Sequence, residues 1–210
     1  MFGGSRLIAE LAEYIQRDDF YSFSIYTCER QLNDFIYEGQ TLESFFKDHN
    51  INYFSTNDIN KIPELLTEIT ENSLGLGIGE AWSFSKKIIN AFDGRLLDVM
   101  GIRLPLFRGG AHYTWQILMK NKIGGCNIQI INEDMIQGVF DSGGIIKTMD
   151  YLFPSEARIP NDYFNFAVKK EIEFIIEFLD EIRNGKVFEL VKINENLSMY
   201  FPRLNTLKHG

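Results

Sequence analysis

Two aspartates are the first candidates for chemistry in this chain. Asp98 stands in the run Leu96-Leu97-Asp98-Val99-Met100, which is typical of a strand, and Asp141 opens the run Asp141-Ser142-Gly143-Gly144. If the two carboxyl groups lie close together, repulsion between like charges raises one pKa. One acid then donates a hydrogen bond while the other accepts a proton. The alternative for Asp141 is that it caps a loop.

Two arginines are candidates for binding phosphate. Arg103 and Arg108 flank Leu104-Pro105, and a guanidinium pairs bidentately with phosphate oxygens. A structural ion pair is the alternative for each. The run Gly109-Gly110-Ala111-His112 follows. For His112 the alternatives are a position close to the aspartates, a role in binding a substrate and a structural role.

Gly3-Gly4-Ser5 precedes a predicted helix, with Ser5 as its N-cap. Helix N-terminal amides point at an anion, and glycine lets a phosphate approach the backbone. The alternative is a tight turn between strand and helix, since the run matches neither Gly-x-Gly-x-x-Gly nor a P-loop.

Other chemistries have no support in the sequence. No His, Cys, Asp or Glu cluster has the spacing of a metal site, so we expect no metal. No Gly-x-Ser-x-Gly or Ser-His-Asp arrangement supports a hydrolase. Cys28 and Cys126 lack a Cys-x-x-Cys pattern and are expected to be reduced thiols. We expect His49 and His209 at the surface.

Composition restricts the class of protein further. The 210 residues are 45% hydrophobic and 24% charged, which is typical of a soluble domain with one substantial core. Twenty-nine acidic and 21 basic side chains give a net charge of -8, which argues against a nucleic-acid partner. No segment resembles a membrane span or a signal peptide, so we expect a cytoplasmic protein.

Helical and strand patterns alternate along the chain. Helices are predicted at 3–18, 41–50, 59–70, 84–92, 111–120 and 162–183, and strands at 21–27, 51–54, 74–78, 95–100, 127–131 and 144–149. Residues 104–110 are predicted to form a rigid turn. This alternation is typical of a parallel sheet with crossover helices. The long helix 162–183 is predicted to be a core helix whose acidic residues form a solvated face.

Taken together and in order, several segments resemble the folate-dependent formyltransferases. They are 94–110 with its Leu104-Pro105 element, the Asp141-Ser142-Gly143 run, Gly79-Glu80-Ala81-Trp82-Ser83-Phe84, Arg158-Ile159-Pro160-Asn161-Asp162-Tyr163 and Tyr200-Phe201-Pro202-Arg203-Leu204. The resemblance covers nearly the whole chain and is greatest to the N-formyltransferases that act on nucleotide-linked amino sugars. It also extends to methionyl-tRNA and glycinamide ribonucleotide formyltransferases.

The resemblance implies a reaction and a set of roles. An amine of the acceptor attacks the formyl carbon of N10-formyltetrahydrofolate, which requires oxyanion stabilisation and a proton acceptor. Asp141 takes the position of the catalytic aspartate. The folate site falls on Gly79, Glu80, Ala81, Trp82 and Phe84, and for Trp82 a position in the buried core is the alternative. The acceptor site falls on Gly3, Gly4, Ser5, Arg103, Arg108, Gly109, Gly110 and His112.

The chain departs from the family at its Asn-x-His motif. Asp98 stands at the Asn position and Met100 at the His position, so both join Asp141 as catalytic-site positions. A thioether donates no hydrogen bond, and an ionised Asp98 places negative charge where negative charge must develop. Both changes oppose the usual transition state.

We therefore predict an α/β fold with a Rossmann-like, mostly parallel twisted sheet and helices on both faces. Residues 1–210 are expected to form a single domain, with a Rossmann-like half at 1–100 and an active-site half at 101–210. The first strand and the C-terminal extension of the family are expected to be missing. The predicted function is formyl transfer to a nucleotide-linked amino sugar in surface polysaccharide biosynthesis. The alternative function is that of a catalytically degenerate relative kept for binding or regulation. For either function, the chain can form a homodimer.

Overall fold

The computed structural model describes residues 1–18, 20–109, 113–138, 141–192 and 194–202. The chain divides into two compact units. Unit 1 comprises Met1–Val99 and Gln129–Gly144, and unit 2 comprises Met100–Ile128 and Ile145–Gly210. Each unit has a hydrophobic core of its own.

Strands and helices alternate through most of the described chain. The strands are β1 (Phe2–Gly3), β2 (Tyr26–Thr27), β3 (Phe35–Tyr37), β4 (Gln40–Thr41), β5 (Phe54–Ser55), β6 (Gly75–Ile78), β7 (Leu96–Met100), β8 (Phe107–Gly109), β9 (Ile123–Ile130), β10 (Ile145–Leu152) and β11 (Met199–Phe201). The α-helices are α1 (Arg6–Gln16), α2 (Glu29–Leu32), α3 (Leu42–Asp48), α4 (Pro63–Glu68), α5 (Lys86–Phe92), α6 (Tyr113–Leu118) and α7 (Pro160–Arg183). Short 3-10 helices lie at Ile59–Lys61, Glu133–Gln137 and Glu195–Leu197.

Seven strands form one sheet in the order β10-β9-β7-β6-β1-β2-β5. The pairs β5–β2, β2–β1, β1–β6 and β6–β7 are all parallel, because a helix connects one strand to the next and returns the chain to the same end. The predicted α/β class and mostly parallel sheet are confirmed.

The expected loss of the first strand is wrong. Phe2 pairs with Tyr26 on one side and with Gly77 on the other, so β1 occupies an interior position of the sheet with only two residues. Sequence reasoning missed it because two residues are too few to show a strand pattern.

The core of unit 1 joins strands and helices through aromatic side chains. Phe2 stacks on Tyr26 with ring centroids 5.5 Å apart and meets Phe84 edge-on at 5.1 Å. Helix α1 buries one apolar face, formed by Leu7, Ile8, Ala9, Leu11, Ala12 and Ile15. Amphipathic helices of this kind derive most of their stability from burying that face.

Unit 2 packs around the long helix α7, as predicted. Its buried face consists of Tyr163, Ala167, Val168, Glu171, Phe174, Ile175, Phe178 and Leu179. The presence of Glu171 contradicts the expectation that the acidic residues of this helix are solvated. Its position, four residues after Ala167 and three before Phe174, places it on the apolar side of the helix.

Several element boundaries differ from the predictions. The strand predicted at 21–27 is reduced to β2, while β9 and β10 extend beyond 127–131 and 144–149. The predicted turn 104–110 contains a cis Leu104-Pro105 bond and continues into β8, which pairs in parallel with β11. In the described part of the chain, no helix combines the length and apolar character that crossing a membrane requires.

Candidate active site

The candidate site begins with two neighbouring strands of unit 1. In the parallel pair β6–β7, Gly77 is the partner of Asp98. Paired residues of adjacent strands point to the same face of a sheet, so Gly77 leaves open space beside the Asp98 carboxyl group. The Glu80 carboxylate takes this space, because a Cβ atom added to Gly77 would lie 2.9 Å from Glu80 Oε2.

Asp98 is held by an amide and surrounded by acids. Gln129, whose side chain is buried, donates a hydrogen bond of 3.1 Å from Nε2 to Asp98 Oδ2. Part of Asp98 reaches the surface, yet removal of its carboxyl group from water is the main reason that its pKa is raised well above the ordinary value. The charges of Glu80 and Asp141 raise the pKa further, while the bond from Gln129 lowers it.

A small, open cleft lies beside Asp98 in unit 1. It is lined by Asp98, Gln129, Ile130, Ile131, Asn132, Met135, Asp141, Ser142 and Gly143. The two aspartates that the sequence singled out thus face one cleft. Like-charge repulsion between them contributes to the raised pKa of Asp98.

The Asp141 loop is positioned by its backbone. Asp141 has a left-handed φ of 58°, which aspartate and asparagine adopt more readily than most residues. Two residues later, a Cβ atom on Gly143 would lie 1.7 Å from the carbonyl oxygen of Ile130. Glycine at 143 is therefore needed for this loop to close against the end of β9.

The segment predicted to bind folate follows β6. Gly79 has a φ of 63°, and its carbonyl accepts a hydrogen bond of 2.7 Å from Gln31 Nε2. Ala81 is exposed, while Trp82 packs partly buried against the core of unit 1. Phe84 is enclosed in that core. Glu80 is half-buried, and desolvation is the main cause of its raised pKa, with a smaller contribution from Asp141.

The glycines at the amino end are required by packing. Gly3 has a φ of 129°, and a Cβ atom there would lie 2.2 Å from the carbonyl oxygen of Ile78. A Cβ atom on Gly4 would lie 2.6 Å from that of Gln31. Ser5 occupies the N-cap position of α1, but its side chain makes no capping hydrogen bond. These contacts fit the tight-turn alternative, and phosphate binding here stays a prediction.

The predicted phosphate-binding arginines lie in unit 2 and are both in ion pairs. Arg103 contacts Asp150 bidentately, with Nε and one terminal nitrogen 2.8 and 2.7 Å from the carboxylate oxygens. Arg108 lies 2.8 Å from Glu195. A Cβ atom on Gly109 would lie 2.5 Å from the ring of Tyr200, so this glycine allows β8 and β11 to pack together. Gly110 and His112 lie outside the described residues.

Cys28, Cys126 and His49 pack against other parts of the structure. Cys28 and Cys126 are free and buried. The ring of His49 is half-buried and stacks on Phe45 at 4.0 Å, with Nδ1 2.9 Å from the Phe45 carbonyl oxygen. His209 lies outside the described residues. Among the residues that the structure describes, no group of His, Cys, Asp or Glu side chains is arranged to hold a metal ion.

Comparison with known proteins gives sequence relatives first. No family model matches the chain. The methionyl-tRNA formyltransferase of Mycoplasma genitalium is 26% identical over 153 residues, which are 71% of this chain and 47% of that protein. The methionyl-tRNA formyltransferase of Mycoplasma pneumoniae is 27% identical over 125 residues, covering 59% of this chain and 38% of that protein. The chain therefore spans less than half of the curated relatives it matches.

Solved structures match almost the whole chain. WlaRD, a sugar 3N-formyltransferase solved with dTDP and 5-N-formyl-THF, has a TM-score of 0.69 at 17% identity, covering 96% of this chain and 68% of that one. The Helicobacter canadensis N-formyltransferase, solved with folinic acid and dTDP-3-aminofucose, has a TM-score of 0.70 at 16% identity, covering 96% and 69%. Phosphoribosylglycinamide formyltransferase from Anaplasma phagocytophilum has a TM-score of 0.67 at 13% identity, covering 97% and 96%.

A formyltransferase family is thereby supported. The matched structures share the formyltransferase fold with this chain, and the sequence relatives are formyltransferases as well. The two residues expected at the Asn and His positions of the formyltransferase motif both lie on β7. There Asp98 and Met100 alternate with buried Leu97 and Val99, and both are partly exposed. Met100 is the first residue of unit 2.

Two features of the acidic groups could not be read from the sequence. Glu80 was assigned to the folate segment, and only the register of β6 against β7 reveals that it lies beside Asp98. Glu171 in unit 2 was missed altogether. Burial raises the pKa of Glu171 to about 7, and a hydrogen bond with Tyr113 opposes that rise. The one signal in the sequence is the position of Glu171, which falls among the apolar residues of α7 that share the buried face.

Proposed function

We propose that this chain transfers a formyl group from N10-formyltetrahydrofolate to the amine of a nucleotide-linked amino sugar, in the biosynthesis of a surface polysaccharide. The observation that carries the proposal is the cleft that holds Asp141 beside Asp98, in a fold matched over 96% of the chain by a sugar 3N-formyltransferase and by an N-formyltransferase. Those proteins were solved with a formyl-folate and with dTDP or a dTDP-amino sugar. The acidic net charge of this chain favours a small acceptor over a tRNA.

The reaction needs a proton acceptor close to the attacking amine. The amine nitrogen forms a bond to the formyl carbon, and the bond from that carbon to N10 of the folate breaks. Asp141 takes the proton that the amine loses and returns it to N10, which balances the transfer. Asp141 suits this role because it lines the cleft and carries a carboxylate that can hold one proton.

A mass-spectrometric assay tests the proposal directly. Purified protein is incubated with N10-formyltetrahydrofolate and a panel of dTDP- and UDP-linked amino sugars, with methionyl-tRNA and glycinamide ribonucleotide as other acceptors. The expected result is a formylated nucleotide sugar above the background without protein. Formylation of the tRNA or the ribonucleotide alone would overturn the proposed acceptor, and no formylated product would overturn the activity.

A second candidate is a formyltransferase-like binding or regulatory protein without catalysis. Asp98 and Met100 favour it, because a thioether donates no hydrogen bond and a second carboxylate opposes a developing oxyanion. The double reversion Asp98→Asn with Met100→His discriminates between the two candidates. Under the first, the natural protein turns over and the reversion helps little. Under the second, the natural protein binds without turnover, and the reversion creates activity.

A further inference from the structure

The acidic cluster of unit 1 has a definite construction around Asp98. Gly77 lies opposite Asp98 in the sheet, and the Glu80 carboxylate takes the place that a side chain at 77 would occupy. Adjacent strands are about 4.8 Å apart. Glu80 is therefore the carboxylate next to Asp98 on the β6 side, and Asp141 lines the same cleft as Asp98.

Among the described residues that line the cleft, none carries a positive charge that could pair with Asp98. Gln129, Asn132, Met135 and Ser142 are uncharged, and the only other charge in the lining is that of Asp141. Lys86, on α5, is occupied by Glu133 at 2.8 Å. Two negative charges and one amide donor thus act on the Asp98 carboxyl group, which favours its neutral form.

The amide also determines which oxygen would carry the proton. Gln129 Nε2 donates to Asp98 Oδ2, so Oδ2 serves as the accepting, carbonyl-type oxygen. In the neutral acid the other oxygen, Oδ1, bears the hydrogen and becomes a donor. A neutral aspartic acid held in this way offers one donor and one acceptor, as the asparagine amide of the family motif does.

We propose that Asp98 works as a neutral hydrogen-bond donor in the cleft and that Glu80 is the positioning residue that keeps it neutral. This inference rests on the proposed formyl transfer, in which Asp98 would donate to the oxyanion while Asp141 handles the proton of the amine. Asp98 neither gains nor loses a proton over the reaction. The departure from the family motif at position 98 then preserves the function of a donor.

The proton on Asp98 can be observed without any substrate. Infrared spectra of the whole chain, recorded from pH 4 to pH 9, report buried protonated carboxyl groups. We expect Asp98→Asn to remove part of the protonated-carboxyl absorbance that the natural chain shows at pH 7, while the part that belongs to Glu171, whose pKa is about 7, remains. In Glu80→Gln the removal of a negative charge makes Asp98 ionise at a pH lower by about one unit or more. Glu71→Gln, an exposed glutamate ahead of β6, is the matched control and should leave the band unchanged.

The rate of formyl transfer supplies the second readout. In the natural protein the rate should fall as pH rises through the ionisation of Asp98, and Glu80→Gln should move that fall to lower pH by the same amount as the infrared band. Protonated-carboxyl absorbance at pH 7 that Asp98→Asn leaves unchanged, or an Asp98 titration unmoved by Glu80→Gln, would overturn the inference. If the infrared results are as expected but no acceptor is formylated, it is the proposed function that fails.

Discussion

Unit 1 and unit 2 each remove carboxyl groups from water, but they surround them differently. In unit 1, Asp98 lies beside Glu80 and shares a cleft with Asp141. In unit 2, Glu171 is a single carboxyl group, 7% exposed, with the phenol of Tyr113 as its hydrogen-bond partner. One centre thus combines several acids with access to a cleft, and the other isolates one acid in a core.

The difference separates chemistry from packing. Acids that repel one another beside a cleft can divide into a donor and a proton acceptor, which is how many active sites work. Among the described residues that shift the pKa of Glu171, no second carboxyl group is found. The neighbouring Tyr113 and Cys126 are also removed from water, and this burial raises their pKa values. The hydroxyl oxygen of Tyr151 is buried without a hydrogen-bond partner in the described residues. We expect turnover to depend on the acids of unit 1, and Glu171 of unit 2 to affect stability without affecting turnover.

The largest expected effect is on turnover. Asp141→Asn keeps the shape of the side chain but removes the proton acceptor, and we expect formyl transfer to fall by about 100-fold to 10,000-fold. Glu171→Gln should change the rate by less than about threefold. The measurement is the initial rate of formylated product at saturating acceptor. If the two variants lose formyl-transfer activity equally, the conclusion that catalysis depends on unit 1 and not on Glu171 is wrong.

Glu171 should make a distinct contribution to the pH dependence of stability. Its pKa is about 7 in the folded chain in place of 4.5, which corresponds to about 3 kcal/mol. Because the folded state holds the proton more tightly, this stabilisation is present below pH 4.5 and is lost as pH rises to about 7. Glu171→Gln should flatten the curve of unfolding free energy over that range.

Urea unfolding at several pH values measures this effect. Asp180→Asn, on the same helix but partly exposed in a pair with Arg183, is the control and should retain the slope. The raised pKa values of Asp98 and Glu80 act in the same direction, so some slope should survive in Glu171→Gln. An unchanged slope would show that Glu171 does not hold its proton in the folded state.

Two glycines permit a matched test of the space around each acid. A Cβ atom on Gly101 would lie 2.0 Å from Glu171 Oε1, and one on Gly77 would lie 2.9 Å from Glu80 Oε2. Glu171 is enclosed and cannot move aside, whereas Glu80 is half-buried. We expect Gly101→Ala to destabilise by about 2 to 3 kcal/mol and Gly77→Ala by about 1 kcal/mol.

Gly77→Ala should in addition make Asp98 ionise at lower pH, because it displaces the neighbouring carboxylate. Melting temperatures and the infrared titration together provide the test. A larger loss of stability in Gly77→Ala than in Gly101→Ala would mean that Glu80 is held as firmly as Glu171, and the comparison of the two centres would need revision.

The two centres also show what the sequence can and cannot predict. The parallel sheet follows from alternating patterns, and the motif residues Asp98 and Asp141 do face one cleft. The position of Glu80 beside Asp98 depends on the register of β6 against β7, which no local pattern specifies. The burial of Glu171 is not predicted, because a glutamate on an amphipathic helix is usually solvated. Its spacing from Ala167 and Phe174 indicates the buried face, but its charge indicates the solvent.

The smallest expected effect concerns Arg103 in unit 2. Its bidentate pair with Asp150 is half-exposed, and such pairs contribute about 1 kcal/mol or less to stability. If the pair is structural, Arg103→Ala and Asp150→Ala should lower stability equally and leave the KM for the nucleotide sugar unchanged. If Arg103 binds phosphate, Arg103→Ala should raise that KM by about tenfold, because a charge-assisted contact is lost. Asp150→Ala, which frees the guanidinium, should then lower the KM or leave it unchanged. Opposite shifts of KM in the two variants would assign Arg103 to the acceptor and extend the functional residues from unit 1 to unit 2.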